Sequence, residues 1–277
     1  MQCAEGRQAG AVVSEYTHSS YYASDAVNWS TLKYMRDSPL VYRHRLTQGT
    51  EDTPAYAMGR LTHTLVFEPE KFQAEYAIWE DGDRRGSAWK EFQVANEGKT
   101  IFKPNEIGTA VAMADAVKRH PLVTHYLDGG LFEHAIYWTD PDTGLPCKAR
   151  PDWIIPERRM LIDLKTCQSA ESRRFGSAAG RYAYHLQLAH YANAITYGLG
   201  WAPNAVKIVA VEKEAPHDVS IFNVGSDDLM IAAEEVAELL RAVKTCRQTN
   251  SWPGRYLEEQ PLQLPSYING EVEFEYE

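Results

Sequence analysis

Apolar residues are spaced differently in the two parts of this chain. Up to about residue 120 they recur at helical intervals. Leu32, Tyr34, Met35, Leu40 and Val41 trace one stripe from Ser30 to about Leu46, with Ser30 or Thr31 as its cap. Pro39 interrupts the stripe, which predicts two short helices with a bend. Pro54, after Thr53, suits the first turn of a further helix running through AMGRLTHTLVFEP to about Pro69. Residues 80–104 are charged and contain glycine, predicting mixed loop and helix. Ile107, Val111, Met113, Ala114 and Val117 predict an amphipathic helix over 105–120.

Beyond that point short runs rich in β-branched and aromatic residues alternate with turn signals. HAIYWTD (134–140), CKARPDWII (147–155), MLIDLKT (160–166) and VKIVAVEK (206–213) predict four strands. Asp140-Pro141-Asp142-Thr143-Gly144 and Pro156-Glu157-Arg158-Arg159 predict hairpin turns. A long helix is expected over about 178–198 and another from Asp227 to about Arg247. Helices, a three-strand meander, a helix, a strand and a helix together predict an α/β fold with helices packed on a sheet. The absence of repeats and low-complexity linkers favours one domain over 1–277, with a loosely ordered segment at 1–27 and an extended tail at 250–277.

With 277 residues, 44% of them hydrophobic, the chain can bury a sizeable core. No apolar run approaches the ~18 residues of a membrane span, and MQCAEGRQAG lacks the pattern of a secretory signal, so no membrane association and a cytoplasmic location are expected. Cys3, Cys147, Cys167 and Cys246 show no C-x-x-C spacing and read as reduced thiols. A net charge of −10 argues against a general electrostatic grip on nucleic acid, though not against a local basic path.

One constellation runs against that charge argument. Asp163 and Lys165 are two apart on a predicted strand, so both leave one face. Asp152, on the preceding strand, can lie beside Asp163. Two carboxylates suit Mg²⁺, a hard cation that neutralises a phosphate and lowers the pKa of water. The Leu164 carbonyl is a further candidate ligand, and a lysine of depressed pKa can orient or deprotonate the water. Arg150 and Lys148, at even spacing from Asp152, are expected on the phosphate side. D-x-K also arises as a surface salt bridge, but charges inside an apolar strand are costly unless paired or metal-bound. Gln187 and Tyr191 share a helix face; spacing alone favours a plain helix-boundary role for them. His63, between apolar residues, reads as a core histidine, and Glu133 as either a third carboxylate or a strand-end charge.

AMGRLTHTLVFEPEKF, GLPCKARPDWI, LIDLKT, YAYHLQLAHYANA, VAVEKEAPHDV and the late WPG…LPSY, in this order, resemble the nuclease domain of RecE (exodeoxyribonuclease VIII) and related phage exonucleases, over nearly the whole chain from about residue 28. The resemblance implies a PD-(D/E)xK restriction-endonuclease-like core, a mixed central sheet flanked by helices. It implies an Mg²⁺-dependent exonuclease, with Mn²⁺ able to substitute. Such an enzyme degrades linear duplex DNA 5′→3′ to mononucleotides and leaves a 3′ single strand for an annealing protein, in DNA recombination and repair. It places His63 with Asp152 and Asp163 as metal ligands, Lys165 as the catalytic lysine, Gln187 and Tyr191 beside the site, and Glu133 at a carboxylate position. It also implies a homo-oligomeric ring, tetrameric or else trimeric.

WSTLKYMRDSPLVYRHRL is similar to the first helix of CRISPR-associated and AddB-type nucleases, where an iron–sulfur cysteine precedes the proline. Ser38 stands there, so no cluster is expected. No G-x-x-x-x-G-K-[ST] loop is present, and no ATP use is expected. Arg36, Arg43, Arg45, Arg150, Arg173, Arg174 and Arg181 are candidates for DNA contacts, each also readable as solvated surface. EVEFEYE reads as a solvated tail or a docking segment. Two other functions stay open: a single-strand or structure-specific nuclease of the same superfamily, and a non-catalytic DNA-binding module.

Overall fold

The computed structural model describes residues 21, 24–49, 52–127 and 129–264. Cys3, most of the 1–27 segment and EVEFEYE lie outside these residues. The helices are α1 (Trp29–Leu32), α2 (Pro39–Gln48), α3 (Pro54–Phe67), α4 (Phe72–Glu75), α5 (Gly86–Ala95), α6 (Pro104–Arg119), α7 (Pro121–Leu127), α8 (Ser172–Arg181), α9 (Tyr184–Gly198) and α10 (Ser226–Thr249). The strands are β1 (Tyr76–Ile78), β2 (Thr100–Phe102), β3 (Leu131–Phe132), β4 (Ile136–Thr139), β5 (Pro146–Ala149), β6 (Trp153–Ile155), β7 (Met160–Cys167), β8 (Ala205–Glu212) and β9 (Val219–Asn223). None of the described helices is long and apolar enough to cross a membrane.

The central sheet is mixed, in the order β3-β6-β7-β8-β9. Only β7 and β8 run parallel; the other neighbours are antiparallel. β7 is apolar on both faces because both are covered. Leu161 packs with α9 and α10 through Leu186, Ile195, Val236 and Leu240. Ile162 and Leu164, on the opposite face, pack with α3 and α6 through Leu61, Met113 and Val117. The period-2 alternation puts Asp163 and Lys165 on the Leu161 face, beneath α9.

Several expectations are corrected. CKARPDWII is not one strand. β5 pairs with β4 in a separate hairpin, whereas β6 joins β3 and β7 in the central sheet. Pro151 lies at the break, where it fixes φ and offers no N–H to a ladder. The expected helix over 178–198 is two helices, divided at Tyr182 and Ala183, with Ala183 left-handed at φ 56°. β1, β2, β3 and β9 are additional strands, too short or too evenly half-buried for a clear alternation. Asn28, rather than Ser30 or Thr31, caps α1: its side chain accepts from the Thr31 N–H at 3.0 Å. The bend at Pro39 is present. Ser38 caps α2, its hydroxyl accepting from the Val41 N–H at 3.2 Å.

Residues 21 and 24–27 are described and pack onto the fold. Val27 is buried and bridges Cys147. Lys148, expected near phosphate, is instead buried and donates to the carbonyls of Tyr21 (2.5 Å) and Ser24 (2.7 Å). The tail after α10 has no regular structure up to residue 264, but Trp252 stacks on Tyr42 and Arg255 pairs with Asp37.

Gly130 delivers the chain into β3 at φ +112°. A Cβ there would lie 2.6 Å from the Ile154 carbonyl oxygen and 2.6 Å from Trp153 Nε1. Gly130→Ala is therefore expected to lose at least about 2 kcal/mol in chemical denaturation, since backbone geometry and overpacking both oppose it. An unchanged unfolding midpoint would contradict this tight junction.

Candidate active site

Four elements deliver ionisable groups to one point. α3 opens with Thr53 capping the Tyr56 N–H and buries Ala57, Leu61 and Thr64 at helical spacing. This turns His63 to the rim of the sheet. Glu133 directly follows β3; its φ of 47° is left-handed and its N–H donates to the Asp152 carbonyl at 2.9 Å. Such a conformation in a non-glycine residue costs about 1 kcal/mol or more. Asp152 follows Pro151 at the entry to β6, and β7 carries Asp163 and Lys165.

His63, Glu133 and Asp152 each bring one ligand atom to within 4.8 Å of the others. His63 Nδ1 lies 3.5 Å from Asp152 and 3.7 Å from Glu133. The second Glu133 oxygen receives Arg150 Nε at 2.9 Å. Asp152 Oδ2 accepts the Leu164 N–H at 2.7 Å. A strand residue's N–H and C=O leave on the same edge, so the Leu164 carbonyl faces the Asp152 side as well. Asp163 stands beside this triad, fully buried. Among the described residues neither of its oxygens has an aligned hydrogen-bond donor, although the Lys165 ammonium lies against one as an ion pair.

The electrostatics follow from burial and crowding. Burial alone would lower the His63 pKa, but Asp152 and Glu133 outweigh it and lift it to about 10. Burial would raise Asp152; His63, Lys165 and the Leu164 amide hold it below the ordinary carboxylate value. Asp163 goes the other way, to about 6, because burial and neighbouring Asp152 exceed the help from Lys165. Lys165 is raised: burial would lower it, but Asp163 and Asp152 dominate. A lysine acting as base needs the opposite direction, so Lys165 is an ammonium in the metal-free site.

Gln187 donates from Nε2 to the Tyr191 hydroxyl at 2.8 Å. That hydroxyl is held well above its usual pKa by burial, then by Asp152 and Asp163, so the pair borders both carboxylates. Tyr184 was not among the expected site residues. Lys165 Nζ lies 4.9 Å from its ring centre. A signal existed: Tyr184, Gln187 and Tyr191 recur at i, i+3 and i+7 on one helix face.

The basic residues scatter. Arg36 pairs with Glu235 of α10 at 2.8 Å. Arg43 lies over Trp252 and Arg45 over Tyr34. Arg173 and Arg174 open α8, their N–H groups capped by Glu171, and exposed Arg181 ends it over Tyr182. Among the expected arginines, Arg150 alone is shown ion-paired to a carboxylate of the cluster. Ser38 serves as a helix cap, and Cys147, Cys167 and Cys246 are free thiols. His190 is buried and neutral, pushed to about 4 by burial, and donates from Nε2 to the Lys148 carbonyl at 3.1 Å.

A mixed sheet with P-D at the entry to one strand and D-x-K on its neighbour, under a Q-x-x-x-Y helix, defines a PD-(D/E)xK fold. Residues 28–259 match the family described as "PDDEXK-like domain of unknown function (DUF3799)", and the chain belongs to that family. The crystal structure of a "Putative exonuclease" from Eubacterium rectale shares the fold at TM-score 0.64 and 16% identity, covering 94% of this chain and 100% of that one. A phage related exonuclease from Haemophilus somnus aligns at TM-score 0.38 and 13% identity, over 82% of this chain and 96% of its own. No curated protein matches the sequence.

The raised Asp163 pKa has a definite sign. The folded state holds that proton more tightly than the unfolded chain, so the charged carboxylate costs stability above pH about 6, and the cost fades towards 3.8. Metal-free Asp163→Asn protein lacks this pH-dependent cost but leaves the buried Lys165 ammonium without its partner, so its melting temperature relative to wild type should be a few degrees higher near pH ~8 than near pH ~5. A difference between variant and wild type that is the same at both pH values would refute the burial cost.

Proposed function

We propose that this chain is a metal-dependent exodeoxyribonuclease acting on the 5′ ends of linear duplex DNA. The observation that carries the reading is the cluster of His63, Glu133 and Asp152, whose ligand atoms lie within 4.8 Å of one another, with the buried Asp163 carboxylate and the Lys165 ammonium beside it. A donor set of oxygens and one imidazole fits a hard divalent cation. His63, Asp152, Asp163 and the Leu164 carbonyl would hold it, with Mg²⁺ the expected ion and Mn²⁺ a substitute. When bound, the cation supplies charge neutralisation at the scissile phosphate and activates water.

The chain's own residues do the rest. Lys165, kept protonated, offers hydrogen bonds and positive charge to a phosphate oxygen on the Asp163 face. Asp152 is locked by the Leu164 amide, so its second oxygen has a fixed direction. Tyr191 stays neutral, and because Gln187 donates to it, its own proton is available to the carboxylates or a phosphate oxygen. Glu133 orients Arg150 beside the cluster. Arg173, Arg174 and Arg181, exposed on α8, remain candidates for the terminal phosphate; Arg36 is occupied with Glu235.

Family membership supports nuclease chemistry, and the description of the Eubacterium rectale protein as an exonuclease supports action at ends. The ordered RecE-type motifs support 5′→3′ polarity, mononucleotide products, a single-strand annealing partner and a ring of subunits. A ring would keep an acidic protein on DNA by topology rather than by strong contacts.

On linear duplex labelled at either end, wild type with Mg²⁺ should release the 5′ label as mononucleotide. Lys165→Ala should slow this by roughly 10²–10³-fold. Loss of the 3′ label would overturn the polarity, digestion of circular single strands would favour the single-strand alternative, and no cleavage with metal bound would leave a binding module.

Metal binding gives a second readout. His63 carries a proton up to about pH 10 in the metal-free protein, and a metal needs the neutral ring. Calorimetry should therefore show proton release and affinity rising up to about tenfold per pH unit between roughly pH 7 and 9. An affinity independent of pH would exclude His63 as a ligand.

A further inference from the structure

A row of aromatic rings and cations leads away from Lys165, and of its members only Arg181 has a place in the function above, as a candidate for the terminal phosphate. Tyr184 lies under the Lys165 ammonium, backed by the buried ring of Phe175 at 6.2 Å. Tyr182 stacks on Tyr184 with centroids 5.8 Å apart and planes at 27°, and is 56% exposed. Arg181 covers Tyr182 at 4.8 Å. The two tyrosines meet because Ala183 between them is left-handed and buried, a strained geometry that ends α8 and starts α9.

α3 closes the other side. Gly59 lies against Thr166, the residue after Lys165. Tyr56 and His63 are seven apart and share a helix face, so Tyr56 stands about 10 Å further out along the axis. Its ring is 53% exposed, and its hydroxyl accepts from Lys33 Nζ at 3.3 Å, which leaves the ring faces uncovered by that ammonium. Lys33 also lies over Tyr34, which Arg45 covers at 5.2 Å. Burial raises the Tyr184 pKa, opposed by Lys165 and reinforced by Asp163, Tyr182 and Tyr56. The two arms therefore flank the end of β7 that carries Lys165 and Thr166, one from each face of the sheet.

The exposed rings of Tyr56 and Tyr182, set beside half-buried Tyr34 and Tyr184 and flanked by cations, are poor solvated surface but a good match to unpaired bases on a phosphate backbone. Each base offers a π-face to a ring, and each phosphate a charge to an ammonium or guanidinium. We propose that Tyr56, Tyr182 and Tyr184, with Lys33, Arg45 and Arg181, form a stacking track that holds the unpaired end of the strand entering the catalytic site. The track rests on the nuclease reading. It requires the end to be melted by a few nucleotides before cleavage, and it explains how a chain of net charge −10 grips a strand locally.

The test is fluorescence anisotropy in chelator, where no cleavage occurs, with labelled oligothymidine of about twelve nucleotides and an abasic strand of the same length. Tyr182→Ala and Tyr56→Ala should each weaken oligothymidine binding by about tenfold. Tyr182→Phe and Tyr56→Phe should bind as wild type does. The abasic strand should bind all forms equally and weakly. The proposal is overturned if the alanine variants bind oligothymidine as wild type does, if the phenylalanine variants lose as much, or if wild type fails to bind. A changed oligomeric state by light scattering with DNA binding intact would assign these rings to a protein interface and likewise overturn it. Duplex cleavage in Mg²⁺ by the same wild-type preparation separates the two ideas. Cleavage with unchanged binding in the variants removes the track alone; stacking without cleavage removes the nuclease reading alone.

Discussion

The structure is organised around an unfavourable burial. Asp163 sits in the middle of the most deeply packed strand, between Ile162 and Leu164, with neither oxygen accepting an aligned hydrogen bond. An isolated carboxylate there would be intolerable. The ammonium of Lys165 relieves it in part, and the rise of its pKa to about 6 records what remains. Everything nearby is arranged by the same constraint. Asp152 is stabilised by a backbone amide and His63, while Glu133 accepts a left-handed backbone to bring its carboxylate between His63 and Arg150. In the metal-free protein the imidazolium of His63 acts as the counter-ion to this cluster, a place that a divalent cation can take over.

The sheet makes the arrangement rigid. β7 is held on both edges, antiparallel to β6 and parallel to β8, with apolar layers above and below. Asp163 therefore cannot rotate out to water, and a register slip would send it into the opposite core. The carboxylates reach the rim because β6 is short and begins only after Pro151, so Asp152 turns inward where a longer strand would have carried a ladder. The helices then contribute by face: α3 supplies His63 and, two turns away, Tyr56; α9 supplies Tyr184, Gln187 and Tyr191.

Much of this was legible in the sequence, for physical reasons. LIDLK reads as a buried strand with a costly interruption, and its period puts Asp163 and Lys165 together. The cap-and-proline start at Thr53-Pro54 locates α3, and the i, i+4 spacing pairs Gln187 with Tyr191, which the structure joins by a hydrogen bond. His63 was readable only through family resemblance, since a histidine among apolar residues carries no local signal, and Glu133 by itself read equally as a third carboxylate or a strand-end charge. The errors share a cause. Counting Lys148, Arg150 and Asp152 as one strand face assumed that the strand continues, and Pro151 ends it, so Lys148 turns to the N-terminal segment instead. The break at Ala183 has no glycine or proline to announce it; packing imposes it. Strands of two or three residues are set by their neighbours and lie below the length at which alternation can be read.

The central claim is that this cluster is a metal centre, and anomalous diffraction from crystals soaked in Mn²⁺ tests it most directly. A peak is expected about 2.0–2.3 Å from a His63 nitrogen and from oxygens of Asp152 and Asp163. The ring of His63 would then be released from its ion pair with Glu133. A peak elsewhere, or none, with His63 still paired to Asp152 and Glu133, would mean that the buried charges are a structural ion network, and the chemistry built on them would have to be abandoned.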